Sequence, residues 1–302
     1  MWKYVSFKIA IIFMSTLAHA QLPVADMDNH TRKVQVGDLV FPVFDQGEGE
    51  VVLLLHGFPD SRHLWRFQVP VLLDAGFRVI APDLKGFGEA PKPLEVEAYG
   101  LSVLIQEVLG IMDSLKIDSF YIVGHDWGAL LTWIIAATQP QRIKKLVALS
   151  VGCPGTSGTR TFEQLKASWY GTLIAHSKGV ETLFQADDWA FFKKLTQNNG
   201  DLERYISDLS RPGALTAALN YYKANFRPDF SNTSSLPAVK ADAMGIWSDG
   251  DIYLTEKHVT SSPEKLEGKW RYEKITGASH WLMLDKPNEV NKLLLEFLGN
   301  GR

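Results

Sequence analysis

Tyr121-Ile122-Val123-Gly124-His125-Asp126-Trp127-Gly128 carries an apolar strand into a glycine-flanked turn, and Ala129–Ala137 then continues as a helix-compatible apolar segment. A strand, a sharp turn and a helix in that order make a nucleophile elbow: the glycines let the backbone double back and leave the central side chain exposed. Here the central residue is the carboxylate Asp126 and not a serine. A carboxylate at that point turns the chemistry from acyl transfer towards attack on a saturated carbon.

Working outward, the elbow strand has neighbours of the same kind. Val51-Val52-Leu53-Leu54-Leu55 is apolar at every position and ends in His56-Gly57-Phe58-Pro59; Arg78–Leu84 and Leu146–Leu149 read likewise. Short runs apolar on both faces fit buried parallel strands. Residues 33–44 alternate around Gly37-Asp38 and read as a hairpin, residues 61–75 as a helix, and residues 99–115 as a helix with Leu101, Leu104, Val108 and Met112 on its apolar face. Strands alternating with helices predict a doubly wound, mostly parallel α/β sheet.

That alternation stops at Val151. Residues 152–236 are aromatic-rich and helical in pattern, entered through Pro154, Gly155 and Gly158 and left through Pro228 and Ser231–Ser235. They read as a helical cap inserted between two parts of one sheet domain, residues 21–151 and 237–302. The second part holds strands at Ala243–Trp247 and Arg271–Ile275 and a closing helix at Glu289–Leu298.

Residues 1–20 form a separate category. Lys3 and Lys8 give a basic start, Ile9–Leu17 an apolar core, and Ala18-His19-Ala20 a small-x-small cleavage pattern. The apolar run is shorter than the roughly 20 residues that span a bilayer, so the expectation is a cleaved export signal and a periplasmic or secreted protein with no stable membrane anchor. Removing it leaves 29 bases against 34 acids. A mildly acidic chain without a basic run excludes nucleic acid as a partner class. Cys153 is the single cysteine, so an exported form has no internal disulfide; it reads as a small buried residue near a strand end.

Three loops should converge, because open α/β sheets bind ligands beyond the carboxyl ends of their strands. One carries Asp126, one carries Asp249 and Asp251 after the Ala243–Trp247 strand, and one carries His280 after the Arg271–Ile275 strand. A histidine oriented by an acid can activate water. His56 and His63 lack the grouped partners of a metal site, and this chemistry calls for no metal and no organic cofactor.

Together with His56-Gly57-Phe58-Pro59, Ser168-Trp169-Tyr170, Leu219–Asn225 and Gly277-Ala278-Ser279-His280, the elbow resembles the epoxide hydrolase branch of the α/β-hydrolase fold. The likeness covers residues 33–299. It implies Asp126 as nucleophile, His280 as base and Asp251, by motif register, as the acid, with Asp249 facing solvent. It implies that the cap tyrosines Tyr170 and Tyr222 assist opening of a small-molecule epoxide, whose ester water then hydrolyses. Backbone N–H groups of Phe58 and Trp127 are the expected oxyanion hole. Tyr99, Tyr205 and Tyr253 read as packing residues. After Tyr170 the chain departs from the family with Gly171-Thr172-Leu173, which leaves the pocket wall open. The nearest rival is a haloalkane dehalogenase, with Trp127 and either Trp169 or Trp189 holding halide. A serine esterase has no serine at the elbow, and a non-catalytic ligand receptor has no need for Asp126, Asp251 and His280 together.

Overall fold

The computed structural model describes residues 24–226, 236–299 and 301. The export-signal reading of residues 1–20 and the Pro228 and Ser231–Ser235 cap exit lie outside them. One eight-stranded sheet runs in the order β1-β2-β4-β3-β5-β6-β7-β8. β1 (Thr31–Val36) and β2 (Leu39–Gln46) form the hairpin and pair antiparallel, and β2 pairs antiparallel with β4 (Arg78–Pro82). From β4 onward the strands are parallel: β3 (Val51–Leu55), β5 (Phe120–His125), β6 (Ile143–Leu149), β7 (Asp242–Ser248) and β8 (Trp270–Ile275).

The parallel strands sit where the apolar runs predict. Leu53, Leu54, Leu55, Val147, Ala148 and Leu149 are fully buried, covered on both faces by helices. The expected helix over residues 61–75 is instead a 3₁₀ turn at Arg62–Trp65 followed by a short α1 (Val69–Asp74). Pro70 explains the break: it lacks an N–H and is tolerated only in a helix's first turn, so α1 must begin beside it. α2 (Leu101–Ser114) and α3 (Trp127–Thr138) flank the central strands.

Between β6 and β7 lie the cap helices α4 (Phe162–Ala167), α5 (Trp169–His176), α6 (Val180–Leu195), α7 (Leu202–Leu209) and α8 (Ala214–Asn225). α6 is broken at Ala186–Trp189, where Asp187, Asp188 and Trp189 take positive φ. α8 is buried along most of its length, from Ala214 through Tyr222. α9 (Glu256–Thr260), α10 (Leu282–Asp285) and α11 (Pro287–Leu298) complete the sheet domain. Among the described residues, no helix is long and apolar enough to cross a membrane.

Candidate active site

β5 delivers Asp126 into the elbow with φ 53° and ψ −123°. A carboxylate-bearing residue holds this costly backbone only because its surroundings fix it. Two glycines make room. A Cβ on Gly128 would collide with the carbonyl oxygens of Leu55 and His56, and one on Gly57 with the Asp126 carboxylate. β3 therefore brings its loop directly against the nucleophile position, and the Phe58 N–H donates to Asp126 Oδ1 at 2.7 Å. Trp127 follows at the start of α3, its ring edge-on to Tyr222 at 5.1 Å.

His56 steadies that loop from below. Its Nε2 accepts from Leu84 N–H at 3.0 Å, which leaves the proton on Nδ1, 3.0 Å from the Gly57 carbonyl. Burial lowers its pKa to about 4, so it remains neutral.

Beyond β8, the His280 ring nitrogen Nδ1 lies 2.8 Å from Asp251 Oδ2, and its Nε2 lies 3.7 Å from Asp126 Oδ2. Asp251 Oδ1 accepts the N–H groups of Tyr253 and Leu254 at 2.9 and 3.0 Å. Burial opposes charge on Asp251, yet the facing His280 and these N–H donors hold its pKa below the usual value. Burial likewise pulls His280 down, but the Asp251 and Asp126 carboxylates outweigh it and raise its pKa to about 10. Asp249 is exposed, its carboxylate accepting the Gly277 N–H at 2.7 Å. His125 packs beneath His280 with ring centroids 4.4 Å apart, and its Nε2 lies 3.0 Å from the His280 carbonyl.

α5 and α8 bring Tyr170 and Tyr222 together over the elbow, with ring centroids 5.8 Å apart. Burial pushes both phenols well above their usual value. Asp126 raises Tyr170 further, and Tyr170 and then Asp126 do the same for Tyr222. Both hydroxyls keep their protons at neutral pH.

Asp126, Tyr170 and Tyr222 stand at the junction of two voids. A wide one of about 200 Å³ runs under the cap, lined by Leu130, Leu165, Phe226 and Leu254 among others. A narrow one of about 20 Å³ lies on the His280 side, bounded by Phe58, Tyr253 and Trp281. Trp169 is 52% exposed, and neither it nor Trp189 borders either void. Tyr99 is a buried packing residue, whereas Tyr205 donates to the buried carboxylate of Asp60 and Tyr253 stacks edge-on to His280 at 5.1 Å. Cys153 is buried, and its thiol is pushed up to about 12 by burial. Among the described residues, no group of three or more His, Cys, Asp or Glu could hold a metal ion.

Sequence reading passes over Gln164 and His258. Gln164 ties α4 to the acid loop, its Oε1 accepting from Thr255 N and Oγ1 and its Nε2 donating to Tyr253 O. His258 lines the wide void from α9. Neither belongs to a motif; both matter only because a cap helix meets a distant loop.

An elbow, an acid and a histidine beyond the carboxyl ends of β5, β7 and β8 define the class, and residues 50–287 match its family model: the chain belongs to the alpha/beta hydrolase fold family. Within it, Epoxide hydrolase 4 of Homo sapiens is 31% identical over 268 residues, spanning 82% of this chain and 72% of that protein. Epoxide hydrolase A of Mycobacterium tuberculosis is 29% identical over 314 residues, spanning 88% and 96%. The crystal structure of Bacillus megaterium epoxide hydrolase in complex with an inhibitor matches with a TM-score of 0.81 at 27% identity, spanning 89% of this chain and 100% of that one.

Proposed function

We propose that this protein is an epoxide hydrolase that converts small epoxides to vicinal diols through an ester on Asp126. The observation that carries this reading is the facing of one carboxylate by two protonated tyrosines across the mouth of an apolar cavity. Ring opening is eased when a donor meets the oxygen as the carbon is attacked, and Tyr170 and Tyr222, which line both voids with Asp126, would supply that donor.

Asp126 attacks a ring carbon, the C–O bond breaks, and the oxygen takes a proton through the tyrosines. Ester formation removes the Asp126 charge, one of the two that hold the His280 proton. His280 thereby loses basicity at the step that consumes a proton, and supplies it. In the second half the neutral imidazole, held by Asp251, takes a proton from water, and the hydroxide adds to the ester carbonyl carbon. The N–H groups of Phe58 and Trp127 meet the oxyanion, and its collapse releases diol and the Asp126 carboxylate with His280 protonated again. The narrow void of about 20 Å³ beside His280 has room for a water or little more. No step calls for a metal or an organic cofactor.

The dehalogenase reading loses support, because Trp169 and Trp189 stand away from the voids and the tyrosines would have no task. The test is a paired assay of purified protein: diol from styrene oxide and aliphatic epoxides in one arm, halide from bromo- and chloroalkanes in the other. Diol without halide supports the reading. Halide without diol overturns it, and turnover of neither alongside unimpaired ligand binding by Asp126→Ala points to a receptor.

A further inference from the structure

The wide cavity is apolar except for a few polar side chains, and nearly all of these are already engaged. Thr159 donates to Thr156 O at 2.7 Å. The Gln164 amide makes four hydrogen bonds, which exhausts it. Asn225 donates both amide hydrogens, to Tyr99 O and Tyr221 O, and accepts from Leu101 N. Ser168 Oγ accepts from Gln164 and keeps one rotatable hydrogen. Away from Asp126, Trp127, Tyr170 and Tyr222 at the elbow, His258 alone presents a fixed, unengaged donor among the described lining.

The tautomer follows from its partner. Gly152 N–H donates to His258 Nδ1 at 2.8 Å, so Nδ1 carries no proton and the neutral ring bears its hydrogen on Nε2. Nε2 has no protein partner among the described residues, although the side chain is buried to within 9%. The ring is locked in place: α9 is capped by Thr255 Oγ1, which accepts the His258 N–H, and the Gly152 backbone lies directly against the His258 carbonyl. Burial lowers its pKa to about 4, with only the Asp251 carboxylate acting against that shift. The imidazole is therefore uncharged at neutral pH.

We infer that His258 is a specificity-determining residue: its Nε2–H recognises an uncharged acceptor oxygen, such as an ether or ester carbonyl, on the part of an epoxide substrate remote from the ring. This rests on the epoxide hydrolase reading and names its substrate class. A carboxylate gains no ion pair from a neutral imidazole and would approach Asp251, so epoxy acids are disfavoured. A wholly hydrocarbon chain would shut this N–H off from water without giving it a partner, a loss worth about tenfold in kcat/KM.

The probe is a series of terminal epoxides of equal length in which an ether oxygen replaces one methylene, at each position from the third chain carbon outward. For wild type, kcat/KM relative to the all-carbon chain should peak about tenfold at one position. In His258→Asn the amide oxygen still accepts the Gly152 N–H but no donor remains at the Nε2 position, and the peak should flatten. A flat wild-type profile overturns the inference without recourse to the variant, as does a peak that survives His258→Asn. Failure to form diol from any member overturns the epoxide hydrolase reading and this inference with it.

Discussion

Asp126 occupies a backbone conformation that other elbows of this kind give to serine, and the difference lies in which atom water finally attacks. On the proposed route the carbonyl carbon belongs to the protein, so a residue that polarises water has to face Asp126 itself, and His280 Nε2 lies 3.7 Å from Asp126 Oδ2. Replacing His280 by Gln should slow ester formation, whose proton must then reach the tyrosines from solvent, and stop ester hydrolysis, lowering steady-state turnover by about 10²–10⁴. Intact-protein mass after prolonged exposure to an epoxide should then show one substrate added; an unmodified mass at the end of it contradicts the covalent route. Tyr170→Phe and Tyr222→Phe each remove one donor to the ring oxygen and should each lower the alkylation rate about 10²-fold. Single-turnover kinetics separates that rate from hydrolysis, and equal rates in wild type and both variants would leave the tyrosines without a part in ring opening. At this scale the sequence is most legible, because strand order and motif register point to Asp126, Asp251 and His280 without coordinates. Asp249 and Asp251 are two residues apart, yet one is exposed against Gly277 and the other buried against His280.

Between elements, contacts arise that spacing along the chain does not announce. Asp60, on the loop after β3, accepts a 2.7 Å hydrogen bond from Tyr205 on α7, 145 residues away. Beside it Arg66 forms a two-pronged ion pair with Asp201 at 2.6 and 2.8 Å, so cap and sheet domain are joined by a buried carboxyl and a charged pair. Tyr205 also stacks on Trp281, the residue after His280. Burial raises the Asp60 pKa from 3.8 to about 7, against the pull of Tyr205 and Arg66. The folded carboxyl thus keeps its proton to about pH 7 while the unfolded one loses it near 3.8, so stability falls as pH rises through that window and stays lower above it. Asp60→Asn accepts the same hydrogen bond and cannot ionise. Its stability relative to wild type should improve by roughly 2 kcal/mol between pH 5 and pH 8; denaturant titrations at the two values check this, and a constant difference rules out Asp60 as the titrating group. The same distance in sequence hides Gln164 and His258, whereas Pro70, which splits the expected helix, is visible but easily outvoted by apolar spacing. The break in α6 falls at Asp187-Asp188, residues that tolerate left-handed backbone.

At the scale of the whole molecule, the groups proposed to react come from four strand ends and two cap helices, and no disulfide ties them together. Their placement depends on a sheet whose central strands are apolar on both faces and on cap helices buried against it. Cys153, buried with its thiol pushed up to about 12, is neither a staple nor a reactive group. Every residue assigned to the chemistry lies at or beyond His56. We propose that residues 1–20 act in export, with cleavage after Ala20. The fold then has no need of an oxidising compartment, and a chain begun at Gln21 and made in a reducing cytoplasm should match the exported form. Both should melt at the same temperature with or without dithiothreitol and give equal kcat/KM for one epoxide. N-terminal sequencing of the exported protein should begin at Gln21. A melting temperature that drops on reduction would reveal an intermolecular disulfide through Cys153, and full-length protein confined to the cytoplasmic fraction would overturn the export reading while leaving the enzyme's fold untouched.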